Sequence, residues 1–223
     1  MITPLYVFDL DETLLDGDST MIWNEFLIEK GIVKDPNFLQ EDKRLMDLYS
    51  QGSLSMEEYL EFAMAPLSSK SKDEVARLVE ECVHNKVLGR VFPQALELIQ
   101  TLKKHGHPII IVSATVAFIV DCVAQQLDIP NAIGIELVEE SGKYTAKIAG
   151  TPSYQQGKVV RLQEWMDSQN QSFNQLHFYT DSINDLPMCE FADRAYLVNP
   201  CERIAPYAEP NQWQVLNWGR LAC

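Results

Sequence analysis

The run Pro108-Ile109-Ile110-Ile111-Val112 constrains the fold more than any other stretch of the chain. Four consecutive β-branched residues with no polar alternation read as a strand buried on both faces, the signature of a parallel sheet covered by helices. Its surroundings agree. Pro93 to His105 is an amphipathic helix closed by Gly106, and residues 116–127 read as the next helix. Residues 132–138 and 144–148 read as strands joined across Ser141-Gly142. Residues 156–167 read as a helix, 176–180 as a strand, 184–192 as a helix, and 196–199 and 215–218 as short strands. Such alternation predicts an α/β architecture, a Rossmann-like parallel sheet with helices on both faces.

The first strand of that sheet, residues 5–8, is followed by a different kind of chain. From residue 19 to 86 there are helix signals only: a turn ending in Asp18-Ser19, an apolar stripe through Ile22, Trp23, Phe26 and Leu27, stops at Gly31 and Gly52, and capping-box spacings at Ser55-x-x-Glu58 and Ser71-x-x-Glu74. Residues 16–88 are therefore expected to form a helical cap inserted into a core made of residues 1–15 and 89–223.

Net charge is −14, from 32 acidic and 18 basic residues. An acidic surface argues against nucleic acid and anionic membranes as partners. No apolar run is long enough to span a bilayer, and no secretory leader fits ahead of Asp9, so a cytoplasmic location is expected. The five cysteines lack any C-x-x-C spacing and read as reduced, packed thiols rather than a zinc site.

In open parallel sheets, ligands bind at the carboxyl ends of the strands. Three predicted strands end in polar residues: Asp9 with Asp11 two positions on, Ser113-Ala114-Thr115, and Asp181-Ser182-Ile183-Asn184-Asp185. A lone lysine, Lys158, falls in the first turn of a helix, where the macrodipole disfavours a cation and a nearby anion is implied. Neighbouring carboxylates repel unless a cation or a proton intervenes; clustered aspartates suit Mg2+, and a helix N-terminus suits phosphate. Each feature alone has a plainer reading: a solvated turn, a helix cap, a surface lysine. An EF-hand is rejected because Leu14 stands where its loop requires glycine.

Taken together and in order, these residues resemble the motifs of the haloacid dehalogenase-like (HAD) superfamily, in its phosphoserine-phosphatase-like branch, subfamily IB. Asp9-Leu10-Asp11-Glu12-Thr13 matches D-x-D-x-T, Ser113 the second-motif hydroxyl, Lys158 the third-motif lysine and residues 181–185 the acidic fourth motif; the helical insert is similar to a C1-type cap. The resemblance implies a Mg2+-dependent phosphomonoesterase working through an aspartyl-phosphate. Asp9 would be the nucleophile and Asp11 the acid-base; Asp9, the backbone carbonyl of Asp11, Asp181 and Asp185 would serve the metal, and Ser113, Ala114, Lys158 and Asn184 the phosphate. The aspartate at position 11 separates phosphatases from the dehalogenases of the superfamily. The substrate implied is a small phosphorylated metabolite, phosphoserine-like or histidinol phosphate, with Asp18 and Arg44 as candidate substrate contacts. A phosphotransferase of the same mechanism and a non-catalytic phosphometabolite-binding protein are the alternatives, and the protein is expected as a monomer or homodimer.

Overall fold

A computed structural model describes residues 3–219, the side chain of residue 50 excepted. Its strands are β1 (Pro4–Phe8), β2 (Ile109–Val116), β3 (Asn131–Ile135), β4 (Leu137–Glu140), β5 (Lys143–Ile148), β6 (Gln175–Thr180), β7 (Arg194–Val198) and β8 (Gln214–Leu216). Six of them form one parallel sheet in the order β3-β2-β1-β6-β7-β8. Successive side chains of a strand face opposite ways, and both faces here are apolar. Leu5, Val7, Ile110, Val112 and Phe178 pack with Val159, Leu162 and Met188; Phe8, Ile109, Ile111 and Tyr179 pack with Ile99, Leu102 and Val120. That double burial is why the Ile109 run carries no polar alternation.

The chain runs outward from β1 to β2 and β3 on one side, and to β6, β7 and β8 on the other, so the sheet switches direction at β1. A crevice opens at the carboxyl ends of strands at such a point.

Between β1 and β2 the chain leaves and re-enters the core through a narrow neck. Leu15 bridges Val91 in antiparallel fashion, flanked by hydrogen bonds from Asp16 N to Arg90 O (2.8 Å) and Phe92 N to Leu14 O (2.9 Å). Beyond it lie α1 (Ser19–Glu29), α2 (Phe38–Ser50), α3 (Met56–Met64) and α4 (Lys72–Cys82), a helical cap. Asp18 caps α1 by accepting from Thr20 N and Met21 N, both at 2.8 Å. Ser71 and Glu74 complete a reciprocal capping box on α4. The matching box on α3 is half made: Ser55 accepts from Glu58 N, while the Glu58 carboxylate turns to Arg44.

In the core, α5 (Pro93–Lys104), α6 (Ala117–Gln126), α7 (Gln156–Ser168), α8 (Leu186–Phe191) and α9 (Ala208–Asn211) follow. Three elements depart from the sequence reading. β2 continues to Val116, so Ser113 lies inside a strand and the helix starts four residues later. The strand expected at 132–138 divides at Glu136: its first half joins the main sheet, and its second pairs antiparallel with β5 as a hairpin. The hairpin meets the cap, Lys72 N donating to Gly142 O at 3.0 Å while its ammonium pairs with Glu139. The helix expected from 184 starts as a 3-10 turn, and α8 begins only at Leu186, with Pro187 in its first turn. Cys82, Cys122, Cys189 and Cys201 are free thiols; Cys223 lies outside the described residues. No helix among the described residues is long and apolar enough to cross a membrane.

Candidate active site

The carboxyl ends of β1, β2 and β6 converge, and the first turn of α7 reaches them. Lys158, only 1 % exposed, places Nζ 2.9 Å from Asp9 Oδ1 and 2.8 Å from Asp185 Oδ1, and donates to Asp185 Oδ2 at 2.9 Å. Gly157 makes this approach possible. A Cβ there would lie 1.9 Å from the carbonyl oxygen of Pro152, so the loop before α7 can be laid across the helix start only over a glycine. Ser153 Oγ anchors that loop to β2 through Ser113 O at 2.6 Å.

Charge in this cluster is unbalanced. Burial pulls the Lys158 ammonium down, but Asp185 and Asp9 outweigh it and hold the group above its ordinary value. Burial raises the Asp9 carboxyl well above the usual range, against the pull of Lys158 and with further push from Asp185 and Asp181. Asp181 is raised to about 7, by enclosure first and then by Asp185, while the Thr13 hydroxyl opposes the shift from 3.1 Å. Asp9 and Asp185 share one ammonium, and Asp181 stands near them bound to the Thr13 hydroxyl instead.

Asp11 is held from both sides. Ser19 N, at the start of the cap, donates to Oδ1 at 2.6 Å, and the Thr115 hydroxyl at the end of β2 donates to Oδ2 at 2.8 Å. With each carboxylate oxygen accepting a hydrogen bond, the Asp11 side chain is fixed in orientation between core and cap. Among the described residues, no three carboxylate, imidazole or thiol side chains converge to hold a metal unaided. The donor set nonetheless suits Mg2+, which is usually bound by one or two carboxylates together with waters and substrate phosphate. The buried Asp185 Oδ1, in charge contact with Lys158 but accepting no hydrogen bond, adds to the uncompensated negative charge a divalent cation would offset.

The cavity beside these groups has a volume of about 520 Å³. It is lined by Asp9, Asp11, Asp18, Ser113, Ala114, Thr115 and Asp181 from the motif segments, and by Met21, Met46, Tyr49, Leu54, Met56 and Tyr59 from the cap. Asp18 is raised to about 8, by enclosure first and then by Asp11, against its own bonds to Met21 N and Thr20 N.

Two expected site residues are placed elsewhere. Arg44 is exposed on α2, bound to Glu41 through Nε and Nη2 and to Glu58 at 2.8 Å, and does not line the cavity. Asn184 is not among the residues lining the cavity, and its Nδ2 donates one hydrogen bond to the Tyr49 carbonyl at 2.8 Å. The physical reason is the same for both, since helix packing sets which partner a long polar side chain meets first. Thr180 and Ser182 support the clamp of Asp185 on Lys158: Thr180 Oγ1 donates to Asp185 Oδ2 at 2.7 Å and accepts from Ser182 N at 3.1 Å. Thr115 and Arg203 are site-lining residues beyond the sequence reading. Thr115 had a signal, a hydroxyl two positions beyond Ser113 on a strand end; Arg203, on the loop after β7, had none.

Residues 6–190 match the family model described as haloacid dehalogenase-like hydrolase. A histidinol-phosphatase of Neisseria meningitidis serogroup C is 34% identical over 218 residues, covering 96% of this chain and 98% of that protein. A crystal structure of a protein of unknown function from Bordetella pertussis superimposes with TM-score 0.89 at 31% identity, covering 97% of this chain and 99% of that one. A substrate-bound phosphoserine phosphatase superimposes with TM-score 0.68 at 17% identity, covering 97% and 93% of the two chains, a likeness of fold.

Proposed function

The chain belongs to the haloacid dehalogenase-like hydrolase family and is a phosphatase, and from that premise we propose that it hydrolyses a small phosphomonoester through an aspartyl-phosphate on Asp9, with Mg2+ bound. The observation that carries this reading is the pairing of Asp9 with Lys158, itself clamped by Asp185, beside an Asp11 held by core and cap together.

Leu10 N and Lys158 fix the Asp9 carboxylate for attack on phosphorus. The ester oxygen leaves with a proton from Asp11. Asp11 then takes a proton from water, whose oxygen attacks phosphorus, releasing phosphate and freeing Asp9. Ser113 Oγ, the Ala114 amide and Lys158 bind the phosphoryl oxygens. Mg2+, held by Asp9, the Asp11 carbonyl and Asp181 with Asp185 behind them, would neutralise charge on those oxygens.

For the substrate, the cavity wall supports an amine with a flat or apolar body. Asp18 offers a carboxyl whose ionised form a bound ammonium would favour against its raised value, the cap supplies methionine, leucine and tyrosine, and Arg44, the candidate for a substrate carboxylate, is turned outward in its own ion pairs. These features favour histidinol phosphate over phosphoserine, in line with the name of the Neisseria relative. The test is a panel of metabolite phosphates with Mg2+. Histidinol phosphate is expected to give the highest kcat/KM, and Asp9→Asn to lose about three orders of magnitude or more. A preference for sugar phosphates would remove the amine assignment; absence of Mg2+-dependent hydrolysis would remove the enzyme reading.

A further inference from the structure

Among the polar side chains over the cavity that the catalytic scheme leaves without a task is a tyrosine of the cap. Tyr49 stands in the last turn of α2, and its ring lines the cavity shared with Asp9, Asp11 and Asp181. Three contacts fix it against the core. Its carbonyl accepts from Asn184 Nδ2 at 2.8 Å. Its ring centroid lies 5.5 Å from that of Tyr154. Gly52, three residues on and at φ +71°, sets the turn where a Cβ would stand 3.4 Å from Asn184 Oδ1 and 3.5 Å from Gln155 Nε2. Asn184 immediately precedes Asp185, and Gln155 is three residues before Lys158. The end of α2 is therefore positioned by the segments that hold the clamp on the nucleophile.

Two tyrosines of the cap, Tyr49 and Tyr59, line the cavity. After burial, the groups acting on the Tyr59 hydroxyl are Asp18 first, then Thr20, Asp42 and Asp11. For Tyr49 they are Asp9, Asp185, Asp181 and Asp11, the carboxylates around the phosphorus. Enclosure of the hydroxyl, reinforced by those carboxylates, holds the phenol above its ordinary value, so it stays protonated and serves as a hydrogen-bond donor. Around it the cap presents Met21, Met46, Leu54 and Met56, which donate nothing, with Gln51 and Thr20 as further polar residues of the lining.

We propose that Tyr49 Oη donates a hydrogen bond to the phosphoryl group being transferred at Asp9, and that the Asn184 bond to the Tyr49 carbonyl is the latch that sets it there. The cap thus contributes to phosphoryl transfer itself as well as covering the substrate. This rests on the phosphatase reading.

The experiment uses the full chain loaded with Mg2+, with calorimetric titration of vanadate and of inorganic phosphate and steady-state hydrolysis of an aryl phosphate. Tyr49→Phe removes only the hydroxyl. It is expected to weaken vanadate binding and lower kcat by about 10- to 100-fold, the range for a hydrogen bond to a charged group, with phosphate affinity changed by less than about threefold. Asn184→Ala is expected to reproduce the loss in kcat. Equal vanadate affinity and kcat in wild type and Tyr49→Phe, with loss only in Tyr49→Leu, would reduce the ring to a wall and overturn the proposal. A wild type that binds vanadate but hydrolyses nothing would count against the phosphatase reading, while the vanadate comparison still decides the role of Tyr49.

Discussion

Asp11 shows how a single carboxylate is aimed by two parts of the molecule. Its Oδ2 partner, the Thr115 hydroxyl, lies 104 residues away in sequence and its Oδ1 partner, Ser19 N, eight. Thr115→Val keeps the shape and removes the donor, so it is expected to lower kcat by about tenfold with little change in KM, the pattern of an interaction used in the transition state. Asp42 carries a different kind of prediction. It is 1 % exposed within the cap and accepts from Asn24 Nδ2 at 2.9 Å. Burial raises its carboxyl to about 6, against the Asn24 bond and with a push from Glu25. A raised carboxyl binds its proton more tightly in the folded than in the unfolded chain. Its contribution to stability is thus complete below about pH 4 and lost as pH rises through about 6. Asp42→Asn, which stays neutral, should gain about 1–3 kcal/mol over wild type above pH 6 and nothing below pH 4. Urea denaturation at both ends of that range measures the difference.

At the scale of elements, two glycines govern how closely the pieces can meet. Gly157 lets the loop at Pro152 cross the start of α7. Gly134 lets β3 pass beneath the start of α6, where a Cβ would stand 2.6 Å from Ala117 Cα and 2.8 Å from Thr115 O. In both cases the obstacle is largely backbone, which yields less readily than a side chain. Gly157→Ala should destabilise by about 1–3 kcal/mol and, by displacing Lys158 from Asp9, also cut kcat. Gly134→Ala should cost similar stability and disturb Thr115. Thermal melts paired with aryl phosphate kinetics would check both variants. Of the helices, α1, α3 and α4 were legible from their caps, because capping is a bond between residues two or three apart. The division of the 132–138 strand was not, because an apolar run looks the same whether it pairs with β2 or with β5.

For the molecule as a whole, the pair Asp9 and Asp185 on one lysine, with Asp181 beside them, concentrates negative charge in a chain already at −14. A divalent cation binding there stabilises the folded state by linkage. Mg2+ at about one hundred times its dissociation constant should add about 2.7 kcal/mol, a rise in Tm of roughly 5–10 °C for a chain of this size. Asp181→Asn should remove most of that rise in a calorimetric scan. The amino-acid sequence by itself determined the parallel sheet, the helical insert after β1, and the polar residues that fall at strand ends. Each of these follows from local periodicity, capping or the position of a residue along its own strand. Only the tertiary structure decided which side chains meet: that Lys158 is clamped by Asp185, that Arg44 reaches across to Glu58 on α3, and that Asn184 binds the backbone of Tyr49, 135 residues away. Those pairings depend on how helices and loops pack across the sheet edge, and no spacing along the chain encodes that distance.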